Sequence, residues 1–247
     1  MGISILFNLW TMADQVDLYI ELVLDGTSGR PLYDWLSNRQ SLHLAEDLYL
    51  PAVPLIMRIL VVDNGGQWTH REWRVLRDLG VESEIIANTT PLENIKADGL
   101  VLSGGSPRVG LDQEKMGKCG DYIDKAGVPI LGICAGHQFM ATHLGGKAGP
   151  SKIPEFGKMM VTIDSEDDLF KGLPETLVAW ESHNDEVLEM PPDFVSLAHS
   201  DNCKIQAMKH TSKPLYGLQF HPEVEHTDNG YEMFQAFIDI CEAYKKA

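Results

Sequence analysis

The 247-residue chain is 44% hydrophobic and 23% charged, the proportions of a globular protein with room for one large or two small domains. Twenty Lys and Arg face 36 Asp and Glu, a formal charge of -16. That balance would repel nucleic acid and anionic membrane surfaces, and no run approaches the roughly 20 apolar residues that span a bilayer.

Residues 1–56 read as an N-terminal extension, separate from 57–247. The extension carries two basic residues, Arg30 and Arg39, against seven acidic ones. Its first ten residues are apolar, but nothing basic precedes Arg30, unlike a secretory or transit leader. An apolar-acidic stretch over 14–24 leads to a turn at Asp25-Gly26, then to Tyr33, Trp35 and a Leu-rich run toward Pro51 and Pro54. No steady helical period and no strand alternation is expected through it. At Met57 the pattern changes to the buried-strand run Arg58-Ile-Leu-Val-Val62. Either Met57 is an alternative start or the extension is a docking arm.

Beyond the seam, apolar runs alternate with helical stretches. Strands are expected over 59–62, 82–86, 99–102 and 128–133, with helices over 68–79, 112–126 and 135–144. Later β-rich runs fall at 159–163, 194–198, 205–209 and 215–220. Asp228 is the expected N-cap of a last helix over 231–244. Strands separated by helices of about 10–15 residues imply βαβ units. The fold expected is α/β, a mostly parallel sheet with an antiparallel β addition.

The richest segment is Gly132-Ile-Cys134-Ala-Gly136, where an apolar strand runs into a helix. It is the cysteine form of the G-x-S-x-G nucleophile elbow. Glycines on both sides of the nucleophile relieve a tight turn, and the thiol lies over the first N–H groups of the helix, which favour negative charge. The Ala135 N–H is a natural oxyanion donor. A lone cysteine is ordinarily core filling; the strand–elbow–helix context reverses that here. The four cysteines (Cys119, Cys134, Cys203, Cys241) form no C-x-x-C, so a reduced cytoplasmic protein without a metal is expected. Cys203, His210 and His226 are too irregularly spaced for a metal module.

A cysteine nucleophile requires a base, and the base an orienting group. His221, at the end of a strand-like run, precedes Pro222-Glu223, and residues two apart on a strand face the same side. His137, His143 and His183 remain rivals by spacing alone. Leu102-Ser-Gly-Gly-Ser-Pro107 ends another strand, and its glycines let backbone N–H groups approach a ligand. It differs from an ATP-pyrophosphatase loop in having Pro107 where the Asp belongs. Neither G-x-x-x-x-G-K-[ST] nor G-x-G-x-x-G occurs, so any ATP chemistry is expected on another chain.

At these residues the sequence resembles the class I, triad-type glutamine amidotransferases over essentially all of 57–247. The marks are Gly132-Ile-Cys134-Ala-Gly-His-Gln138, Ser103-Gly-Gly105, Ser182-His-Asn184 and Gln219-Phe-His221-Pro-Glu223. The resemblance implies a flavodoxin-like sheet with helices on both faces. It implies that Cys134 attacks the side-chain amide of glutamine, His221 transfers protons and Glu223 holds His221. The oxyanion would lie on the N–H groups of Gly105 and Ala135, with Gln138, Ser182 and His183 at the substrate. Within the family, His221-Pro-Glu-Val-Glu-His-Thr-Asp-Asn-Gly230 is similar to the H-P-E-V-x-H-T-x-x-G of GMP synthases. Val62-Asp-Asn-Gly-Gly-Gln67 and the segment 179–187 are similar to that branch as well. Anthranilate and aminodeoxychorismate synthases usually carry Ser after H-P-E. The resemblance therefore implies a separate glutaminase subunit working with an ATP-pyrophosphatase subunit, which would hold ATP and Mg and aminate XMP. A modulator without catalysis and a stand-alone cysteine peptidase are the competing readings. Pro107 follows Ser106 instead of Gly105, which implies an oxyanion loop one residue longer than in many relatives.

Overall fold

The computed structural model describes the backbone of residues 4–12, 15–23, 57–166 and 168–246, and the side chains of the last two stretches. The chain divides into two compact units, Met1–Leu55 and Ile56–Ala247. In the first, β1 (Ser4–Met12) and β2 (Gln15–Val23) pair antiparallel, Ser4 opposite Val23 and Met12 opposite Gln15. This corrects the expectation of no strand alternation. Val16, Leu18, Ile20 and Leu22 alternate with Asp17, Tyr19 and Glu21, the period of a strand. The Asp25-Gly26 turn, Tyr33, Trp35 and the Leu-rich run lie outside the described residues.

The second unit is built on nine strands: β3 (Ile59–Asn64), β4 (Ile85–Ala87), β5 (Gly99–Gly105), β6 (Ile130–Ile133), β7 (Lys147–Ile163), β8 (Thr176–Glu189), β9 (Phe194–His199), β10 (Ala207–His210) and β11 (Leu215–Leu218). They form one sheet in the order β4-β3-β5-β6-β11-β10-β9-β7-β8. The first five are parallel. Counted among themselves they run 2-1-3-4-5, the flavodoxin-like winding. The remaining four are antiparallel, nearly half of the sheet.

Four helices accompany it: α1 (Thr69–Asp78), α2 (Cys119–Lys125), α3 (Ala135–His143) and α4 (Gly230–Lys246). Strand alternation divides the core into two layers. Ile59, Val61, Val101, Leu131 and Ile133 pack with Val75 and Leu76 of α1 and Phe234 and Phe237 of α4. Leu60, Val62, Leu100, Leu102 and Ile130 pack on the other face with Tyr122 of α2 and Phe139 and Met140 of α3. Covering both faces is why these strands are continuous apolar runs instead of alternating ones.

The expected elements need four corrections. The helix over 112–126 is two pieces, a 3-10 turn over 113–116 and α2. Gly117, at φ 57°, separates them and approaches the Asn88 carbonyl too closely for a side chain. The strand over 82–86 is only β4, Glu82 making an isolated bridge to Arg58. Residues 147–158 and all of β8 were not expected as strands. In β8 the inward positions change from Leu177 and Ala179 to Glu181, His183 and Asp185, all buried, so the apolar signal stops midway. Asp228, the expected cap of α4, accepts instead from Val178 N–H through Oδ2 at 3.0 Å and so pins β8. Among the described residues no helix is long and apolar enough to cross a membrane.

Candidate active site

Four parallel strands deliver their carboxyl ends to one place. β3 ends in Asn64-Gly-Gly66, β5 in Ser103-Gly-Gly105, β6 in Cys134 and β11 in the segment leading to His221. That edge, at the reversal of strand order between β3 and β5, is where open α/β sheets bind ligands.

Cys134 lies between β6 and α3 at φ 48°, ψ -103°, a backbone state costing about 1–3 kcal/mol for a non-glycine residue. A Cβ on Gly136 would strike the Leu102 carbonyl, and one on Gly132 would fall 2.7 Å from the Gly136 backbone. Both glycines of the G-x-C-x-G are thus sterically required, as the elbow reading expects. The Cys134 N–H donates to Leu218 O at 2.7 Å, tying the elbow to β11. Cys134 opens on two adjoining cavities of about 310 and 520 Å³. The other three cysteines are packed in the core, where burial pushes Cys119 up to about 12 and Cys203 and Cys241 upward as well.

His221 and Glu223 face the smaller cavity with Cys134, at 4% and 5% exposure. His221 Nδ1 meets Glu223 Oε1 at 2.7 Å, and the Cys134 side chain borders the same cavity as that ring. Trp68 stands edge-on to that ring, centroids 4.4 Å apart. Burial opposes charge on His221, yet the Glu223 carboxylate and the Cys134 side chain together hold it well above its ordinary value. His221 and Glu223 do not share a strand face as expected, because β11 stops at Leu218. A turn past the strand end brings the two side chains together: Val224 N–H donates to His221 O at 3.3 Å and Thr227 Oγ1 to the same oxygen at 2.6 Å.

The rival histidines go elsewhere. His137 is fully buried against Gly217, and burial pushes it down to about 3. His143 contacts Asp124 at 3.0 Å. His183 lines the larger cavity but has both ring nitrogens engaged: Nδ1 to Asp185 O at 3.1 Å, Nε2 to Glu155 at 3.2 Å and Glu181 at 3.3 Å. Glu155, Glu181 and His183 are also the residues close enough to hold a metal ion among those described. A ring that donates from both nitrogens is cationic and offers no lone pair, so this is a histidinium clamp. Cys203, His210 and His226 do not form a cluster among the described residues.

Burial works against charge on His183, but Glu155 and Glu181 lift it to about 10 from 6.5. Because the folded value is raised, the stability tied to its proton is complete below about pH 6.5 and is lost as pH climbs toward 10. Replacing His183 with Gln should therefore cost thermal stability at pH 6 and much less at pH 10, read from melting temperatures of both proteins. A pH-independent difference would contradict the clamp.

Gly105 and Ala135 both border the larger cavity, and Ala135 opens α3, where N–H groups lack helical acceptors. Ser182 borders both cavities. Gln138 is buried at the same wall, its Nε2 donating to Asp185 O at 2.6 Å and Gln219 Oε1 at 3.1 Å. Ser106 and Pro107 continue past β5 along the larger cavity. Two residues there were not anticipated. Arg108 forms a two-pronged pair with Asp185, at 2.7 and 3.1 Å; Glu72 on α1 lines the smaller cavity. Glu72 had a readable signal, a charge at i+3 from Thr69 on the apolar stripe of α1.

Residues 60–241 match the family described as Glutamine amidotransferase class-I. The chain is 52% identical over 193 residues to a glutamine-hydrolyzing GMP synthase subunit of Thermoplasma volcanium, covering 78% of this chain and 96% of the relative. It is 50% identical over 189 residues to the subunit of the same description from Thermococcus kodakarensis, covering 74% and 98%. A solved Thermoplasma acidophilum structure, described as a GMP synthase subunit protein, superposes with TM-score 0.74 at 49% identity, over 77% of this chain and 96% of that one. A glutamine amidotransferase from Thermotoga maritima, at 22% identity and TM-score 0.59, shares the fold.

Proposed function

The chain belongs to the class I glutamine amidotransferase family, and from that membership we propose that it is the glutamine-hydrolysing subunit of a two-subunit GMP synthase. The observation that carries the chemistry is the meeting of Cys134, His221 and Glu223 on one cavity at the sheet's carboxyl edge. The choice of pathway is supported by about half identity over nearly the whole length of relatives so named, and by Val224-Glu-His-Thr227 after the His-Pro-Glu.

In this reading Cys134 gives its thiol proton to His221 Nε2 as Sγ attacks the side-chain amide carbon of glutamine, and the carbonyl oxygen becomes an oxyanion on the Gly105 and Ala135 N–H groups. His221, held through Nδ1 by Glu223, gives its Nε2 proton to the departing nitrogen. Ammonia leaves and a γ-glutamyl thioester remains. Water then attacks the thioester carbonyl, His221 accepts its proton and passes it to the departing Cys134 sulfur, and glutamate and the thiol are released. Gln138, Ser182 and His183 form the substrate wall; with both His183 ring nitrogens engaged, the segment 182–185 would meet glutamine through its backbone. Ammonia passes to an ATP-pyrophosphatase subunit that binds ATP and Mg and aminates XMP. We place the assembly in the cytoplasm.

The test is glutamate release by the purified chain, alone and then with an XMP-aminating subunit, ATP, Mg²⁺ and XMP. Release that rises with the partner and matches GMP formed is expected. Hydrolysis indifferent to that partner would keep the glutaminase and discard GMP synthesis in favour of a chorismate-using synthase. No hydrolysis under either condition would favour the modulator reading.

A further inference from the structure

Glu72 is a carboxylic acid where a helix ordinarily buries an apolar side chain. It shares the inward stripe of α1 with Thr69, Val75 and Leu76 and is only 1% exposed. Oε1 accepts from the Gly104 N–H at 3.3 Å, and Oε2 is buried without a hydrogen-bond partner among the described residues. Gly104 is wedged against the catalytic groups: a Cβ there would lie 3.1 Å from His221 Cε1 and 3.7 Å from Cys134 Cβ. On its other side the Gly104 carbonyl accepts from Ser103 Oγ at 2.7 Å, and Ser103 Oγ accepts in turn from Asn64 N–H at 3.0 Å.

We propose that Glu72 is a positioning residue for glutamine hydrolysis: by accepting the Gly104 N–H, its carboxyl group holds the Ser103–Gly104 peptide and so restrains Gly104, whose next peptide carries the Gly105 N–H toward the oxyanion. The proposal rests on the glutaminase reading above and adds a residue to it. The Gly104 carbonyl and the Gly105 N–H share one planar trans peptide, so the Ser103 Oγ bond to that carbonyl sets the direction of the N–H, and the Glu72 bond to the Gly104 N–H fixes the preceding plane, leaving Gly104 little freedom to turn one against the other. Glycines resist rotation least, and at the Ser-Gly-Gly end of β5, where the pairing with β3 shifts register between Val62 and Asn64, an anchor from outside the strand adds to the ladder. Glu72 supplies that anchor from a helix, a more rigid support than a loop.

The surroundings of the acceptor favour the neutral acid over the carboxylate. Desolvation and the Glu223 carboxylate raise Glu72 well above the ordinary carboxylate range, with the Cys134 side chain adding to this and His221 and the Gly104 N–H opposing it. Glutamine is accordingly its close mimic, keeping an oxygen for Gly104, whereas leucine keeps the volume and loses the acceptor.

The experiment compares Glu72→Gln and Glu72→Leu with the wild-type chain, in complex with the XMP-aminating subunit. Two rates are read per folded site: glutamine turnover, which uses the oxyanion donors, and alkylation of Cys134 by iodoacetamide, which does not. Folded sites are counted from the final alkylation stoichiometry. For Glu72→Leu, kcat should fall about 10- to 100-fold, approaching the loss of an oxyanion donor. Its KM and alkylation rate should stay within about threefold, and Glu72→Gln should retain wild-type turnover within about threefold. Unchanged kcat in Glu72→Leu would make the residue mere filling and overturn the proposal. Parallel loss of turnover and alkylation would place its effect on the nucleophile, and equal loss in both variants would show that charge is what matters; either overturns it. Wild-type turnover that survives Cys134→Ala would instead remove the glutaminase reading itself.

Discussion

Cys134→Ala is expected to reduce glutamine hydrolysis by at least about 10⁴-fold while leaving the protein folded, since nucleophile deletions in triad enzymes reach about 10⁶. The substitution removes one sulfur from the cavity wall. The backbone state at φ 48° is already occupied by a non-glycine residue, and alanine adds no bulk to it. The contacts that hold the elbow belong to the main chain, Cys134 N–H to Leu218 O and Gln138 N–H to Cys134 O at 2.9 Å, and they persist. The one polar contact to the thiol from an amide, Gln219 Nε2 at 3.7 Å, is long and weak. A melting temperature within a few degrees of wild type, with no glutamate released, is therefore the paired result to look for. Turnover retained in that variant would remove Cys134 as nucleophile, whatever the geometry around it.

Replacing His221 with Ala, and separately Glu223 with Gln, should separate proton transfer from its support. The first removes the group that carries the proton, a loss of about 10³- to 10⁴-fold in kcat/KM. The second keeps an acceptor oxygen for Nδ1 but removes the charge, and about 10- to 100-fold is expected. It also carries a pH signature. Burial disfavours the imidazolium and Glu223 is the largest of the influences restoring it. Without that carboxylate the ring loses its proton at lower pH, so the alkaline limb of kcat/KM against pH should move down. Equal losses in the two variants with an unmoved limb would contradict the orienting role assigned to Glu223.

Much of the site was legible because its parts are local. A strand, a G-x-C-x-G and a helix specify an elbow through sterics within five residues, and the steric demands at Gly132 and Gly136 follow from that short stretch and the strand beside it. His221 and Glu223 are two apart, so their contact needs only a local turn, although a different one from the strand expected. Glu72 and Arg108 were hidden for the opposite reason. Each meets its partners, Gly104 and Asp185, across elements far apart in sequence, and a local pattern does not say what an inward-facing charge will meet.

The amino-acid sequence by itself determined the βαβ alternation, the position of the nucleophile and the class of chemistry, because hydrophobic period and turn sterics act within one or two elements. Only the tertiary structure decided which histidine serves Cys134. The 2-1-3-4-5 order of the parallel strands carries the ends of β6 and β11 side by side and so brings His221 to the thiol, while His183 on β8 is clamped between two buried glutamates. It also decided the extent of the antiparallel half. The inward positions of β8 are polar because they line a site, and a strand whose buried face is charged gives no apolar alternation until its neighbours are in place.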